Sequence, residues 1–269
     1  MIETYLKPFS HNHSIREAVV TIFLGSPIIK PERFQELITK GLGEYFHLFE
    51  NVNAVQIQIK PGVNGLTPQQ TTQQNAGFRF VGFNQGKIGT VFQGINELER
   101  TFMSYHSFGY KRWAEFLDNY LSVLSILSQN HEALFIRAVS IHYIDEFTWV
   151  SQEPLDLNKI FNDEAKYMSK AFLDSSNTSN FIYTTEKKDG SSLLFDRLDI
   201  KVDNKITKNI TISHNILKQF DDFKSLSSLL DNEKDFFLES LQKLHNYNKE
   251  ILNDILNDRV KTLINLPNQ

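Results

Sequence analysis

The sequence predicts an α+β fold of two pseudo-repeats, each a strand, a short helix, several antiparallel strands and one long helix. Three observations predict it. The same order of hydrophobic patterns runs twice through the 269 residues, once before and once after about residue 130. Strand-like stretches alternate apolar and polar side chains with a period of two, as strands with one covered and one wet face do. The longest apolar stripes recur at helical spacing and are broad, which suits helices covering one face of a curved antiparallel sheet.

The first unit, residues 1–130, opens with a strand over Arg16–Gly25. A helix follows over Pro31–Tyr45, with Pro31 in the first turn and Phe34, Leu37 and Ile38 along one side. Three or four strands fit between Val52 and His106. Val55, Ile57 and Ile59 alternate with Gln56, Gln58 and Lys60, and Phe78 and Phe80 alternate with Arg79 and Val81. Asn84–Gln85–Gly86–Lys87 is a turn with Gly86 available for positive φ. Pro61–Asn75 is a polar connection rich in Gln and Thr, expected to be disordered and to order only on binding, if at all. A helix over Tyr110–Ser128 carries Trp113, Leu117, Tyr120, Leu121, Leu124 and Leu127 as its stripe.

The second unit, residues 131–269, repeats the order. It has a strand over Ala133–Val150, a short helical stretch around Leu157–Lys170, strands across Asn180–Ser213 and a helix from about Asn232 to Leu263. No low-complexity linker separates the units, so they are expected to dock tightly as one globular body.

Composition excludes several classes. No window holds the ~18 consecutive apolar residues of a membrane span, and Met1–Ser10 lacks the apolar run of a secretory signal. Cysteine is absent, which removes disulfides and thiolate metal sites. The expectation is a soluble cytoplasmic protein. Net charge is −4: residues 1–130 carry 11 Lys+Arg against 10 Asp+Glu, and residues 131–269 carry 17 against 22. A binder of nucleic acid through its phosphates needs a basic surplus that the chain as a whole lacks. Asn51–Asn96 is the local exception, with Lys60, Arg79 and Lys87 and no Asp or Glu.

Three segments carry a family resemblance. They are Ile15–Arg16–Glu17–Ala18–Val19, then Gly109–Tyr110–Lys111–Arg112–Trp113 with Phe116, then Ile136–Arg137 followed by His142–Tyr143–Ile144–Asp145. With them the chain resembles a sporadically distributed bacterial family of uncharacterised proteins of about 250–270 residues. The family more typically carries Arg before that Tyr and Asn after it, where this chain has His142 and Asp145. The resemblance implies a bacterial cytoplasmic protein carried on mobile or defence-associated loci, and no established activity. Separately, the doubled element order resembles the saddle of the TATA-binding protein, a likeness of fold that assigns no function.

Chemistry-bearing motifs are sparse. Gly41-x-Gly43 lacks the third glycine of a phosphate loop, and no Gly-x-Ser-x-Gly elbow occurs. His11-x-His13 has no third ligand nearby, so no metal site is expected. Arg100-x5-His106 and Arg137-x4-His142 match a ribonuclease spacing but fall in strands. Asp221–Asp222 and Asp196-x2-Asp199 read as solvated acids without a histidine partner. In the strand Ala133–Val150, simple alternation places Arg137, Val139, Ile141, Tyr143 and Asp145 on one side. Arg137 and Asp145 there form either an ion pair at the seam between the halves or one side of a concave site.

These residues predict a non-catalytic binding or regulatory module that presents a curved sheet surface to a protein or nucleic-acid partner, or to a second copy of itself. The binding residues are Arg137, Tyr143, Asp145, Arg79, Lys60 and Lys87; no catalytic residue, metal or cofactor is assigned. The alternative is a metal-dependent hydrolase or nuclease using Arg137, Tyr143 and Asp145.

Overall fold

The computed structural model describes residues 2–11, 13–62, 65–97, 99–129, 134–175, 178–205 and 207–266. In the first half, strands β1 (Leu6–Pro8) and β2 (Ile15–Leu24) precede helix α1 (Pro31–Leu42). Strands β3 (Leu48–Gly62), β4 (Gly65–Asn84), β5 (Lys87–Asn96) and β6 (Thr101–Ser107) follow, and then helix α2 (Trp113–Ser128). In the second half, β7 (Phe135–Trp149) leads through a 3₁₀ turn at Leu157–Lys159 to the short helix α3 (Lys170–Leu173). Strands β8 (Ser179–Asp189), β9 (Ser192–Asn204) and β10 (Lys208–Ser225) come next. Helices α4 (Leu226–Leu230), α5 (Lys234–Ile255) and α6 (Asp258–Leu263) complete the described chain.

All ten strands join one curved antiparallel sheet in the order β3-β4-β5-β6-β2-β7-β10-β9-β8, with β1 paired to the far end of β7. The fold is α+β, as the patterns predict. The centre is the β2–β7 pair, where Val20 opposes Ile141 and Ile22 opposes Val139. The strand phase puts Ala18, Val20, Ile22 and Leu24 of β2 into a core shared with Phe34 and Ile38 of α1 and Tyr120 and Leu124 of α2. A second core lies under α5 and α6, where Leu198, Ile200, Ile210 and Ile212 meet Ile251, Leu252, Ile255 and Val260. Among the described residues no helix is long and apolar enough to cross a membrane.

Three local expectations need correction. Of the Pro61–Asn75 connection, the described residues 61–62 and 65–75 are backbone of β3 and β4, which pair without interruption of register from Ala54↔Gln73 out to Gly62↔Gly65. Its Thr-rich backbone satisfies its amides and carbonyls by cross-strand pairing. Pro68 is tolerated because β5 reaches β4 only over Gly77–Asn84, leaving Pro68 with one neighbouring strand. The C-terminal helix is not continuous: Leu256 turns extended (φ −90°, ψ 143°) and bridges to Phe161, and the Asn257 side chain accepts from the Val260 amide to start α6. Short polar residues compete with the helical backbone there, and Leu256, fully buried, gains more from packing than from prolonging the helix.

The third correction concerns β7. Neither neighbouring strand pairs with Arg137: β2 and β10 both skip from Ala138 to Ile136. This bulge reverses the phase, so Ile136 is buried and Arg137 exposed. Elsewhere the turn chemistry holds. Gln85 (φ 51°) and Gly86 (φ 76°) both take left-handed conformations between β4 and β5.

Candidate functional site

A cavity of about 530 Å³ lined by buried polar groups lies on the helical side of the central strands. Five parts of the chain wall it, among them His13–Ile15 at the start of β2, Tyr110–Trp113 leading into α2, Tyr143 and Asp145 of β7, and one face of α5. On α5 the spacing His245, Asn248, Lys249, Leu252 is the i, i+3, i+4, i+7 pattern of a single helix face. The turn at Ile264–Leu266 closes one side.

Asp145 is 1% exposed. The Ser14 hydroxyl donates to its Oδ1 at 2.6 Å, while Oδ2 has no hydrogen-bond partner among the described residues. Burial pushes this carboxyl up to about 6, against the Ser14 hydrogen bond and the nearby His214, which both favour the ionised form. Beside it runs a chain of hydrogen bonds. The Tyr143 hydroxyl and His245 Nδ1 are hydrogen-bonded at 2.8 Å, and the Tyr110 hydroxyl is bonded to Tyr143. Burial, then the charge of Lys249, lowers His245 to about 3, so its ring is neutral at physiological pH. Burial raises Tyr110 to about 12 and holds Tyr143 well above its ordinary value, so both hydroxyls keep their protons. Trp113 stacks on His245 with centroids 4.4 Å apart and planes 7° apart, anchored by Nε1 donating to Gln242 at 2.8 Å. Lys111 and Arg112, 74% and 79% exposed, form the rim and share Glu115 at 3.7 and 3.8 Å.

Beneath the cavity, His214 is sealed from solvent. Its Nδ1 bonds Asn248 Oδ1 and its Nε2 bonds Asp196 Oδ1, both at 2.8 Å. This corrects the expectation for Asp196, which is buried and histidine-paired rather than solvated. Leu194, Asp196, Leu198, Ile200 and Val202 share one phase of β9, and that alternation marked Asp196 as inward. Asp221 and Asp222 are exposed at the end of β10.

A second groove, about 400 Å³, lies on the opposite face of the sheet, and none of its lining residues belongs to a helix. Here Glu17 Oε1 takes a hydrogen bond from His106 Nδ1 at 2.7 Å. His106 Nε2 in turn meets Ser104 Oγ at 2.8 Å and the Gln93 amide at 3.3 Å. His106, with Arg100 in the same groove, keeps the company of a hydrogen-bonded carboxylate rather than of a ribonuclease pair. His142 bonds Ser213 at 2.7 Å, and burial lowers it to about 4.

Of the predicted binding residues, the structure brings Tyr143 and Asp145 together in the helical-side cavity. Arg137 does not join them. It is exposed at the bulge, six residues from Tyr143 or roughly 20 Å at strand rise, and Asp145 bonds Ser14 instead. Arg79 pairs with Glu50 at 3.8 Å on β4, and Lys87 closes the β4–β5 turn. The Lys60 side chain lies outside the described residues. Sequence reasoning missed Ser14 and His245 as site residues, because only the tertiary fold brings α5 against the Tyr110–Trp113 segment. Among the described residues, no three His, Cys, Asp or Glu side chains gather as metal ligands. No family model, curated protein or solved structure matches the chain, so the chemistry of these side chains carries the functional argument alone.

Proposed function

We propose that the chain is a binding module whose ligand occupies the cavity between β7, α5 and the Tyr110–Trp113 segment. One observation carries this reading: a fully buried carboxyl, Asp145, keeps an oxygen without a partner among the described residues at a cavity of small-ligand size. Burying an acceptor unpaired is costly, and such a group is accounted for when a bound molecule supplies the donor. Among the described residues no hydroxyl nucleophile of the cavity is set up by a histidine: Ser14 donates to Asp145, and His245 is neutral and bonded to Tyr143, whose proton is held tightly. Binding therefore fits it better than catalysis.

The strand order supports the two-unit reading. From the centre outward the sheet runs β2-β6-β5-β4-β3 on one side and β7-β10-β9-β8 on the other. Each half begins at the centre, leaves through a helical connection and returns as a meander to its own first strand. The cavity then sits where the two copies meet, and the helix-free face is the surface offered to a protein or nucleic-acid partner.

A metabolite library screened by thermal shift against the wild type and Asp145→Asn tests the proposal. Asparagine keeps the shape and the acceptor for Ser14. At least one compound should raise the Tm of the wild type and fail to raise that of the variant. No stabilising compound, or equal shifts in both proteins, would sink the proposal.

A second reading rests on the opposite face. Ser104, His106 and Glu17 are linked as nucleophile, base and orienting carboxylate are in serine hydrolases. Covalent labelling of Ser104 by a fluorophosphonate would favour it, and absence of labelling under conditions that modify a control hydrolase would dismiss it.

A further inference from the structure

Resting on the binding reading above, the geometry points to a ligand class: a nucleotide, with its base against the Trp113–His245 wall, base N–H donors on Asp145 and phosphate at Lys111, Arg112 and Lys249. Three features of the cavity each narrow the choice, and together they select this class.

The first is the floor. Above its titration range Asp145 is a pure acceptor, and with Ser14 on Oδ1 the free capacity is concentrated at Oδ2. It selects a ligand with N–H donors. Paired donors on one edge, as on guanine, match a carboxylate best. The second is the wall. Trp113 and His245 are locked face to face by the Gln242 and Tyr143 hydrogen bonds, and Tyr110 stands edge-on to Tyr143 with centroids 5.9 Å apart. Planar rings held in fixed rotamers favour a planar heterocycle over an aliphatic amine or a sugar.

The third is the charge. Lys111 and Arg112 come from the segment before α2 and Lys249 from α5, so cations approach from two sides. The Lys249 charge is felt inside the cavity, where it disfavours protonation of His245. Glu115 offsets part of the rim charge, and the remaining surplus suits one phosphate. The volume of about 530 Å³ falls within the roughly 300–1,000 Å³ of small-ligand sites.

Calorimetric titration of the full chain at pH 7.5 with GMP, AMP, CMP, UMP, guanosine and inorganic phosphate tests this. GMP should bind, guanosine about tenfold more weakly, and phosphate alone more weakly still. Lys249→Ala should weaken GMP at least fivefold and leave guanosine unchanged. Asp145→Asn should weaken both at least tenfold while keeping the wild-type near-UV spectrum. If the metabolite screen yields ligands lost in Asp145→Asn and none of the four nucleotides binds, the nucleotide assignment falls and the binding module stands. GMP binding that is indifferent to Asp145→Asn overturns the assignment as well, and no stabilising compound of any kind removes both.

Discussion

The two wings of the sheet solve one packing problem with different side chains. The wing of β3–β5 is aromatic. Phe34 stacks on Phe78 at 5.3 Å, Phe78 meets Phe80 at 5.6 Å, and Phe49 meets Phe80 at 5.0 Å. Rings of that size need room, and Gly94 of β5 provides it. A Cβ there would lie 2.6 Å from the Phe78 ring and 2.8 Å from Ile28. The wing of β8–β10 is aliphatic, with Leu198, Ile200, Val202, Ile210 and Ile212 under Ile251, Leu252 and Ile255. Each wing also carries a histidine–carboxylate pair, placed oppositely. Glu17–His106 sits half-buried on the helix-free face, whereas Asp196–His214 is sealed under α5. The difference teaches that strand order constrains which side chains meet much less than which face they meet on.

The largest effect should come from the aromatic wing. Phe80→Ala should cost about 3–5 kcal/mol in urea unfolding, against about 1 kcal/mol for Ile200→Val in the aliphatic wing. Equal costs would break the contrast. Next comes the sealed pair. Asp196→Ala leaves His214 without its carboxylate in a site closed to water and should cost about 3 kcal/mol, whereas Glu17→Gln on the open face should cost less than about 1 kcal/mol. Chemical denaturation of both variants at one pH makes the comparison.

The pH dependence sharpens it further. Asp145 titrates at about 6 in the folded chain and near 3.8 when exposed, so its contribution is fully favourable below about 3.8 and is lost as pH rises through 6. Asp145→Asn should therefore gain roughly 2–3 kcal/mol relative to wild type between pH 4 and pH 7. His142 and His245, lowered from 6.5 to about 4 and about 3, act in the other direction. Their contribution is whole above 6.5 and lost as pH falls toward those values. Wild-type stability should thus decline on acidification below 6.5, and His142→Asn should flatten the curve. A wild-type profile that is level from pH 7 to pH 5 would contradict this balance. The smallest effect belongs to the Arg16–Glu146 pair, partly exposed on both sides, where Arg16→Ala should change stability by less than about 1 kcal/mol.

Periodicity made most of the fold legible. The apolar stripes and alternations placed the helices and strands, and the Gln85–Gly86 turn followed from residue type. What it missed has physical reasons. The bulge at Arg137 depends on two partner strands skipping one residue together, which no local pattern in β7 announces. The break at Leu256 depends on Phe161, far away in sequence. At the candidate site, Tyr143 and Asp145 are visible in the sequence as residues of one side of β7, whereas Asp196 reads as solvated although its phase in β9 matches the inward Leu194 and Leu198. Trp113 and His245 lie 132 positions apart, and their contact exists only once α5 crosses the seam.

The unbroken ladder from β2 into β7 has a mechanical consequence. Val19↔His142, Val20↔Ile141, Thr21↔Ser140 and Ile22↔Val139 bind the halves through backbone amides, so no hinge separates them. A molecule entering between them cannot swing one lobe against the other. It can only alter the twist of a shared ribbon, and a change of twist moves the outermost strands most. Occupancy near the middle would then be broadcast as displacement at β3 and β8, the two rims farthest from where the molecule rests.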